Sequence, residues 1–256
     1  MTGGSRRPIW HGVALVAGFW WFATGLIFAL QRNATTRLVA MLLFSGLAVA
    51  AVWAIRWSRH ERSPRAMAAA FLGGGALWAW VTNALFGWWV VGPAGVTATV
   101  PGPSWALAGQ AIHATLYNDL ASVGLLVAVW LAVRRSTNAL AATTLLILWA
   151  SQQVAKVNIF LGVANPGARF LPDPLAFLAG FFGPESNSPF LYFSVLVALA
   201  TAAWTGRRVR HATDDATRLE RSIIASLLGL AAVEYLVLGL RLNLPFWDLF
   251  LALRGS

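Results

Sequence analysis

This 256-residue chain predicts an all-α fold, a polytopic transmembrane helical bundle of about seven spans, on three observations. Hydrophobic residues make up 58% of it and charged residues 11%, with a mean hydropathy of +0.66, more apolar surface than one soluble core buries. The apolar residues gather in stretches of about twenty or more, long enough to cross a hydrocarbon core of roughly 30 Å at about 1.5 Å per residue. These stretches run nearly unbroken instead of alternating, so they read as helices that satisfy their own amides in lipid, not as barrel strands.

Taken in order, the first span is expected over residues 9–30 and the second over 38–57. The third, 66–91, leads through a chargeless Gly/Pro loop to the fourth, 105–133. After the fifth, 140–161, a longer connection carries Pro166, Pro172, Pro174 and Pro184. It has room for a short interfacial helix around 175–182. The sixth span, 189–204, and the seventh, 223–240, are both short for the task. All seven form one integral membrane domain over residues 1–256.

Basic residues set the expected orientation. The amino terminus and the second-to-third, fourth-to-fifth and sixth-to-seventh connections hold Arg6, Arg7, Arg56, Arg59, Arg62, Arg65, Arg134, Arg135, Arg207, Arg208, Arg210, Arg218 and Arg221. The other side keeps Arg32, Arg37, Lys156, Arg169, Arg241 and Arg254. This asymmetry puts the amino terminus in the cytoplasm and, with seven spans, the carboxyl terminus outside. The carboxyl end changes side if the sixth or seventh segment lies in the interface. The net charge of +10 is thereby accounted for by topology and anionic headgroups, so membrane lipids and not nucleic acid are the expected partners. The Arg6-Arg7 pair lacks a following small-residue cleavage site and is read as part of a retained anchor.

Fourteen tryptophans fit two roles. Trp57, Trp130 and Trp204 on one side, and Trp88, Trp89, Trp105 and Trp247 on the other, fall where interfacial belts form. Trp20, Trp21, Trp78, Trp80 and Trp149 lie deeper, where they pack on helices or on a flat pigment; helix packing is preferred. The absence of cysteine excludes disulfides, thiolate catalysis, iron–sulfur clusters and thioether-linked haem.

Ionisable groups inside spans are costly and mark function or pairing. Asp119 is expected near the middle of the fourth span and Glu234 near the middle of the seventh. Lys156, the sole lysine, falls in the outer part of the fifth. Either acid pairing with Lys156 is the preferred reading, and a proton or ion path through Asp119 and Glu234 is the alternative. On the fourth span Gln110, His113 and Tyr117 share a face at i, i+3, i+7, with Asn118 and Asp119 turned further round. On the fifth, Gln152 and Lys156 are one turn apart, beside Gln153 and Asn158. Interhelical hydrogen bonds between the two stripes are expected.

His113 is the one histidine within an expected span. Its imidazole suits a chlorin magnesium or haem iron, although a hydrogen-bonded interior histidine is the preferred reading. Four scattered histidines without HxxxH or ExxH spacing predict no metal site, and no nucleophile stands with a base. Enzyme activity is not expected.

The run 155–175, AKVNIFLGVANPGARFLPDPL, resembles the signature of bacterial photosynthetic complex assembly proteins of the PuhE type. Looser matches are WWFATGLIFAL at 20–30, the WAW at 78–80 followed by Gly92-Pro93, and the segment 110–121. Tight similarity covers about twenty residues and loose similarity most of the chain. The signature positions that carry over are Lys156, Asn158, Asn165, Phe170, Leu171 and Pro172. In that family a His-Glu pair follows the WxW and another follows a Leu-Tyr. This chain has Val81-Thr82 and Asn118-Asp119 instead, so chemistry resting on those pairs does not carry over.

The resemblance implies a multi-pass inner-membrane protein of phototrophic bacteria, concerned with reaction-centre and light-harvesting assembly or bacteriochlorophyll supply. A non-enzymatic assembly or accessory protein that contacts those polypeptides, with bacteriochlorophyll or carotenoid as candidate pigments, is the expected function. The aromatics of the proline-rich loop, Phe170, Phe177, Phe181, Phe182 and Phe190, would offer it an apolar surface. Small-residue faces such as 66–75 would serve close helix approach, within the fold first and toward a partner second. The alternative is a carrier for a pigment, quinone or proton that uses Asp119, Glu234 and Lys156. A carrier needs those residues in an accessible cavity, whereas a scaffold pairs them.

Overall fold

The computed structural model describes residues 7–100, 102–242 and 247–255. Arg6 of the basic pair lies outside them, as does the side chain of Arg7. The helices are α1 (Arg7–Ala29), α2 (Ala34–Ser58), α3 (Pro64–Phe86), α4 (Trp105–Ala114), α5 (Leu116–Val133), α6 (Leu140–Leu161), α7 (Pro189–Val209), α8 (Asp215–Gly239) and α9 (Asp248–Arg254). Seven of these, α1, α2, α3, α5, α6, α7 and α8, are long and apolar enough to cross a membrane. The chain is a multi-pass helical bundle, as expected.

Helix ends depart from expectation for a local reason. The second span starts at Ala34 and the seventh at Asp215, because polar capping residues open each helix before its apolar run begins. The Asn33 side chain accepts from the Thr36 amide at 2.9 Å while the Thr36 hydroxyl accepts from the Asn33 amide at 3.0 Å, a capping box. Asp214 accepts from the Thr217 amide at 2.8 Å, and Ser63, ahead of Pro64, accepts from the Ala66 amide. The sixth and seventh spans are therefore 21 and 25 residues long. Neither is short, so both are long enough to cross a membrane. The third span ends at Phe86, not at 91, in a turn where Trp88 takes a positive φ of 66°.

The fourth span needs a larger correction. Its apolar run is cut at Thr115 (φ −118°, ψ 17°), so α4 is a separate ten-residue helix and only α5 of the two is long enough to span. α4 packs through Leu107 and Ala114 on Phe181, part of a 3-10 helix over Asp173–Phe181. That helix answers to the short element expected at 175–182, and a further 3-10 turn covers Ala168–Phe170. The loop aromatics do not form one outward surface. Phe181 is buried, Phe170 stacks on Phe28 with centroids 5.0 Å apart, and Phe177 meets Trp88 edge-on at 5.8 Å.

α3 is the axis of the bundle and packs against α1, α2, α5, α6 and α8. Three consecutive glycines make this possible, since successive helical positions point about 100° apart. A side chain at Gly73 would meet Ile55 of α2, one at Gly74 the Ala141 carbonyl of α6, and one at Gly75 the Phe19 ring of α1. The small-residue face thus serves internal packing. Around it Met67, Phe71 and Leu77 join Val133, Leu140, Leu145 and Ile223 in the main core.

The loops sort to two ends. At one, Asn138 donates from its amide to the Arg59 carbonyl at 3.0 Å and from its side chain to the Ser58 carbonyl at 3.1 Å. Arg62 donates to the Thr137 carbonyl and pairs with Glu220 at 2.8 Å. The Ser222 hydroxyl donates to the Ile9 carbonyl at 2.8 Å. The connections expected to be basic are therefore gathered together. At the other end α9, which the sequence did not announce, docks on the signature loop. Arg254 donates to the carbonyls of Arg169 and Phe170 at 2.8 and 3.0 Å. Trp247 is buried against Phe28, Trp20 and Phe250, so it is a packing residue and not an interfacial anchor.

Candidate functional site

Polar side chains concentrate in the half of the bundle away from the basic end, around α3. The break at Thr115 starts α5 so that Asp119 falls in its first turn, not at mid-span. There it meets Lys156 from the last two turns of α6. Nζ of Lys156 is 2.7 Å from Asp119 Oδ1 and donates to Thr115 Oγ1 at 3.3 Å. Gln153 donates to the same Oδ1 at 3.2 Å, and the Thr115 hydroxyl donates to Oδ2 at 2.8 Å. Both charged side chains are partly exposed, Lys156 at 31% and Asp119 at 25%, so water or headgroups reach the pair's edge. Four groups satisfying one another are what a low-dielectric site needs to hold an ion pair.

Asn118, next in sequence, is buried and donates to the Val81 carbonyl at 2.9 Å. The two places where this chain departs from the resembled family, Val81-Thr82 and Asn118-Asp119, are therefore neighbours in space. Asn158 donates to Ser194 Oγ at 2.9 Å, linking α6 to α7, and Gln152 accepts from Trp78 Nε1 at 3.3 Å, linking α6 to α3.

The other residues singled out lie elsewhere. Gln110, His113 and Tyr117 do not form a stripe facing α6, because the break at Thr115 interrupts the helical phase that the i, i+3, i+7 spacing assumed. Gln110 bonds to Thr99 in the preceding loop, at 2.6 and 3.1 Å. His113 is exposed at the end of α4 and outside any span, with no side-chain hydrogen bond among the described residues; the interior, hydrogen-bonded histidine is not found. Tyr117 is exposed. Glu234 lies within α8 without an ion-pair or hydrogen-bond partner among the described residues, so Asp119 alone pairs with Lys156. Its neighbour Tyr235 donates to the Ser151 carbonyl of α6 at 3.1 Å.

The signature residues Asn165, Phe170, Leu171 and Pro172 build a cap at the end of the bundle opposite the basic loops. The Asn165 amide donates to the Leu238 carbonyl at 2.9 Å and its side chain to the Leu242 carbonyl at 3.2 Å, tying the loop to the end of α8. Phe170 carries α9 as described above, Leu171 packs with Leu85, Val91 and Leu175, and the Pro172 carbonyl accepts from the Leu175 amide at 2.8 Å.

One polar pair escaped the sequence reading. Gln31 donates to Asn83 Oδ1 at 3.1 Å, joining the turn after α1 to the last turn of α3, and both residues are buried. An asparagine inside an apolar span was the available signal. Of the deep tryptophans, Trp20 packs on Trp247 and Trp80 bonds to Ser45, whereas Trp21 meets Phe250 edge-on but is 39% exposed.

Among curated proteins, the "Uncharacterized 30.4 kDa protein in puhA 5'region" of Rhodobacter capsulatus is 27% identical to the chain over 230 residues, covering 87% of this chain and 84% of that protein. No solved structure matches the chain. Residues 7–252 match the family described as "Protein of unknown function (DUF3623)". With the match running from the first turn of α1 into α9, the chain belongs to the DUF3623 family.

Proposed function

We propose that this chain is a non-enzymatic assembly or accessory protein of bacterial photosynthetic complexes, of the PuhE type. In this reading it is one integral domain in the inner membrane, with its amino terminus in the cytoplasm. The observation that carries the reading is the relative's place in the puhA 5' region, a photosynthesis gene region. The family resembled at 155–175 has the same association. Reaction-centre or light-harvesting polypeptides are the partners, with bacteriochlorophyll or a carotenoid as candidate pigment. His113, exposed on α4, is the candidate pigment ligand.

The polar geometry supports a scaffold. Asp119 is committed to Lys156, Gln153 and Thr115, and Gln152, Asn118 and Asn158 are committed to neighbouring helices. The gathering of arginine-bearing loops at one end supports the cytoplasmic amino terminus. Glu234 favours a second reading, a carrier for a pigment, quinone or proton, since a carboxyl in a span with no partner among the described residues is a standing candidate for transport.

Purification of the tagged protein from its native membranes in mild detergent tests the proposal, with an absorption spectrum and mass spectrometry of what accompanies it. Reaction-centre or antenna polypeptides with near-infrared bacteriochlorophyll absorption are expected. A colourless, solitary protein overturns stable membership of such a complex and moves the carrier ahead.

A further inference from the structure

The basic end of the bundle contains a cleft of about 480 Å³ between the α2–α3 loop and the ends of α7 and α8. Arg62, Arg208 and Arg221 line it, with Glu220, Thr217 and Trp204. The charges do not cancel. Glu220 is paired with Arg62 at 2.8 Å, and among the described residues Arg221 reaches only a backbone oxygen, the Arg208 carbonyl. The Arg208 guanidinium lies 3.6 Å from the centre of the Trp204 ring and has no carboxylate or hydrogen-bond partner among the described residues. Two cations thus face one cleft without an acid among the described residues to neutralise them.

The depth of the cleft fits one class of ligand. Trp204 lies five residues before the end of α7 at Val209, about 7 Å along the helix axis. That step matches the thickness of one headgroup layer, half the difference between a hydrocarbon core of roughly 30 Å and a whole bilayer of roughly 40–45 Å. Trp204 then sits at the border of the acyl region with Arg208 and Arg221 at phosphate level. A ring under a guanidinium keeps the cation in place and leaves its N–H fork free for a planar or tetrahedral anion.

We propose that this cleft binds the phosphate headgroup of an anionic phospholipid from the leaflet at the basic end, with Arg208 and Arg221 as the phosphate ligands and Trp204 against the glycerol end of the chains. The bound lipid bridges the α2–α3 and α7–α8 connections through Arg62, whose Nη2 also donates to Thr217 at 3.1 Å. This differs from the diffuse attraction of basic loops for a charged surface, because two arginines in one cleft are distinguished from equal charge elsewhere.

The test is the shift in unfolding temperature of the purified full chain in mild detergent on titration with phosphatidylglycerol, with phosphatidylcholine of the same acyl chains, or with inorganic phosphate. Phosphatidylglycerol is expected to raise the transition, and the other two to leave it in place. R208Q/R221Q is expected to weaken the apparent affinity by about thirtyfold, at roughly 1 kcal/mol per arginine. R134Q/R135Q, which removes the same charge from the same end, is expected to respond as wild type. R208Q alone, which breaks no hydrogen bond or ion pair of that side chain among the described residues and removes only its contact with the Trp204 ring, covers the case in which the double variant does not fold, and is expected to lose part of the response. An equal shift from phosphatidylcholine overturns the proposal, as does an equal shift from phosphate, which would mark a free-anion site. A full response in R208Q, or an equal loss in R134Q/R135Q, overturns it too.

Discussion

Lys156 Nζ stands 2.7 Å from Asp119 Oδ1 and so joins the only lysine of the chain to the only acid of α5. The contact joins α5 to α6, and Gln153 of α6 donates to the same carboxylate oxygen. It sits where the apolar run breaks at Thr115, so one polar cluster both pins α5 to α6 and absorbs the irregular backbone between α4 and α5.

Removing one member of this pair strands the other in a site that is only partly wet. K156M or D119N is expected to destabilise the protein by about 1–3 kcal/mol, less than a fully desolvated pair because the two side chains remain 31% and 25% exposed. The exchange D119K/K156D should recover part of the loss. Thermal unfolding in mild detergent measures this; single variants that melt with wild type would show the pair to be incidental.

The glycine triplet gives a second expectation. In G74L the new side chain would be driven into the Ala141 carbonyl of α6, and overpacking of that kind costs about 1–3 kcal/mol. G18A, at a position of α1 with open space around it, is expected to be neutral or to gain up to about 1 kcal/mol by restricting the unfolded chain. If both variants behave alike, close approach at Gly74 is not what sets the α3–α6 distance.

The signature loop should control the fate of α9. Phe170 stacks on Phe28 at an interplanar angle of 17°, and its carbonyl accepts from Arg254. F170A is therefore expected to release α9 from the bundle, with faster amide exchange over 248–254 and little change in α2 or α3. Unchanged exchange in α9 would show that the helix is held by other contacts.

The spans were legible because bilayer thickness imposes a length that hydropathy records, and 140–161 was read to the residue. Helix ends were not, since Asn33, Ser63 and Asp214 open helices with polar turns that hydropathy discards. The break at Thr115 was hidden because the run on both sides stays apolar, and that one irregularity displaced Gln110, His113 and Tyr117 from the stripe assigned to them. The pairing of Asp119 with Lys156 was readable from scarcity: few charges in lipid leave few partners. Gln31 with Asn83, both uncharged, left no such shortage to reason from. The cap formed by Asn165, Phe170 and α9 depends on contacts across some eighty residues, which no local pattern encodes.

Acid should weaken the start of α8 through Asp214. Its carboxylate accepts from the Thr217 amide and hydroxyl at 2.8 and 2.7 Å. These bonds, the amide first, hold its pKa below the ordinary 3.8, with a smaller contribution from Arg62. A carboxyl whose pKa is lower folded than unfolded adds stability above the unfolded value and loses it as pH falls through the folded one. The capping contribution is therefore expected to be intact near neutrality and to fade below the ordinary carboxylate range. D214A should lose about 1 kcal/mol near neutrality and converge with wild type in acid. D214N, which keeps an acceptor but cannot titrate, should stay near wild type at neutral pH and lack the acid-dependent loss at this site. Unfolding temperatures of the three proteins across that pH range decide the matter. If D214A and D214N track each other at every pH, the Thr217 bonds do not set the stability of this helix end.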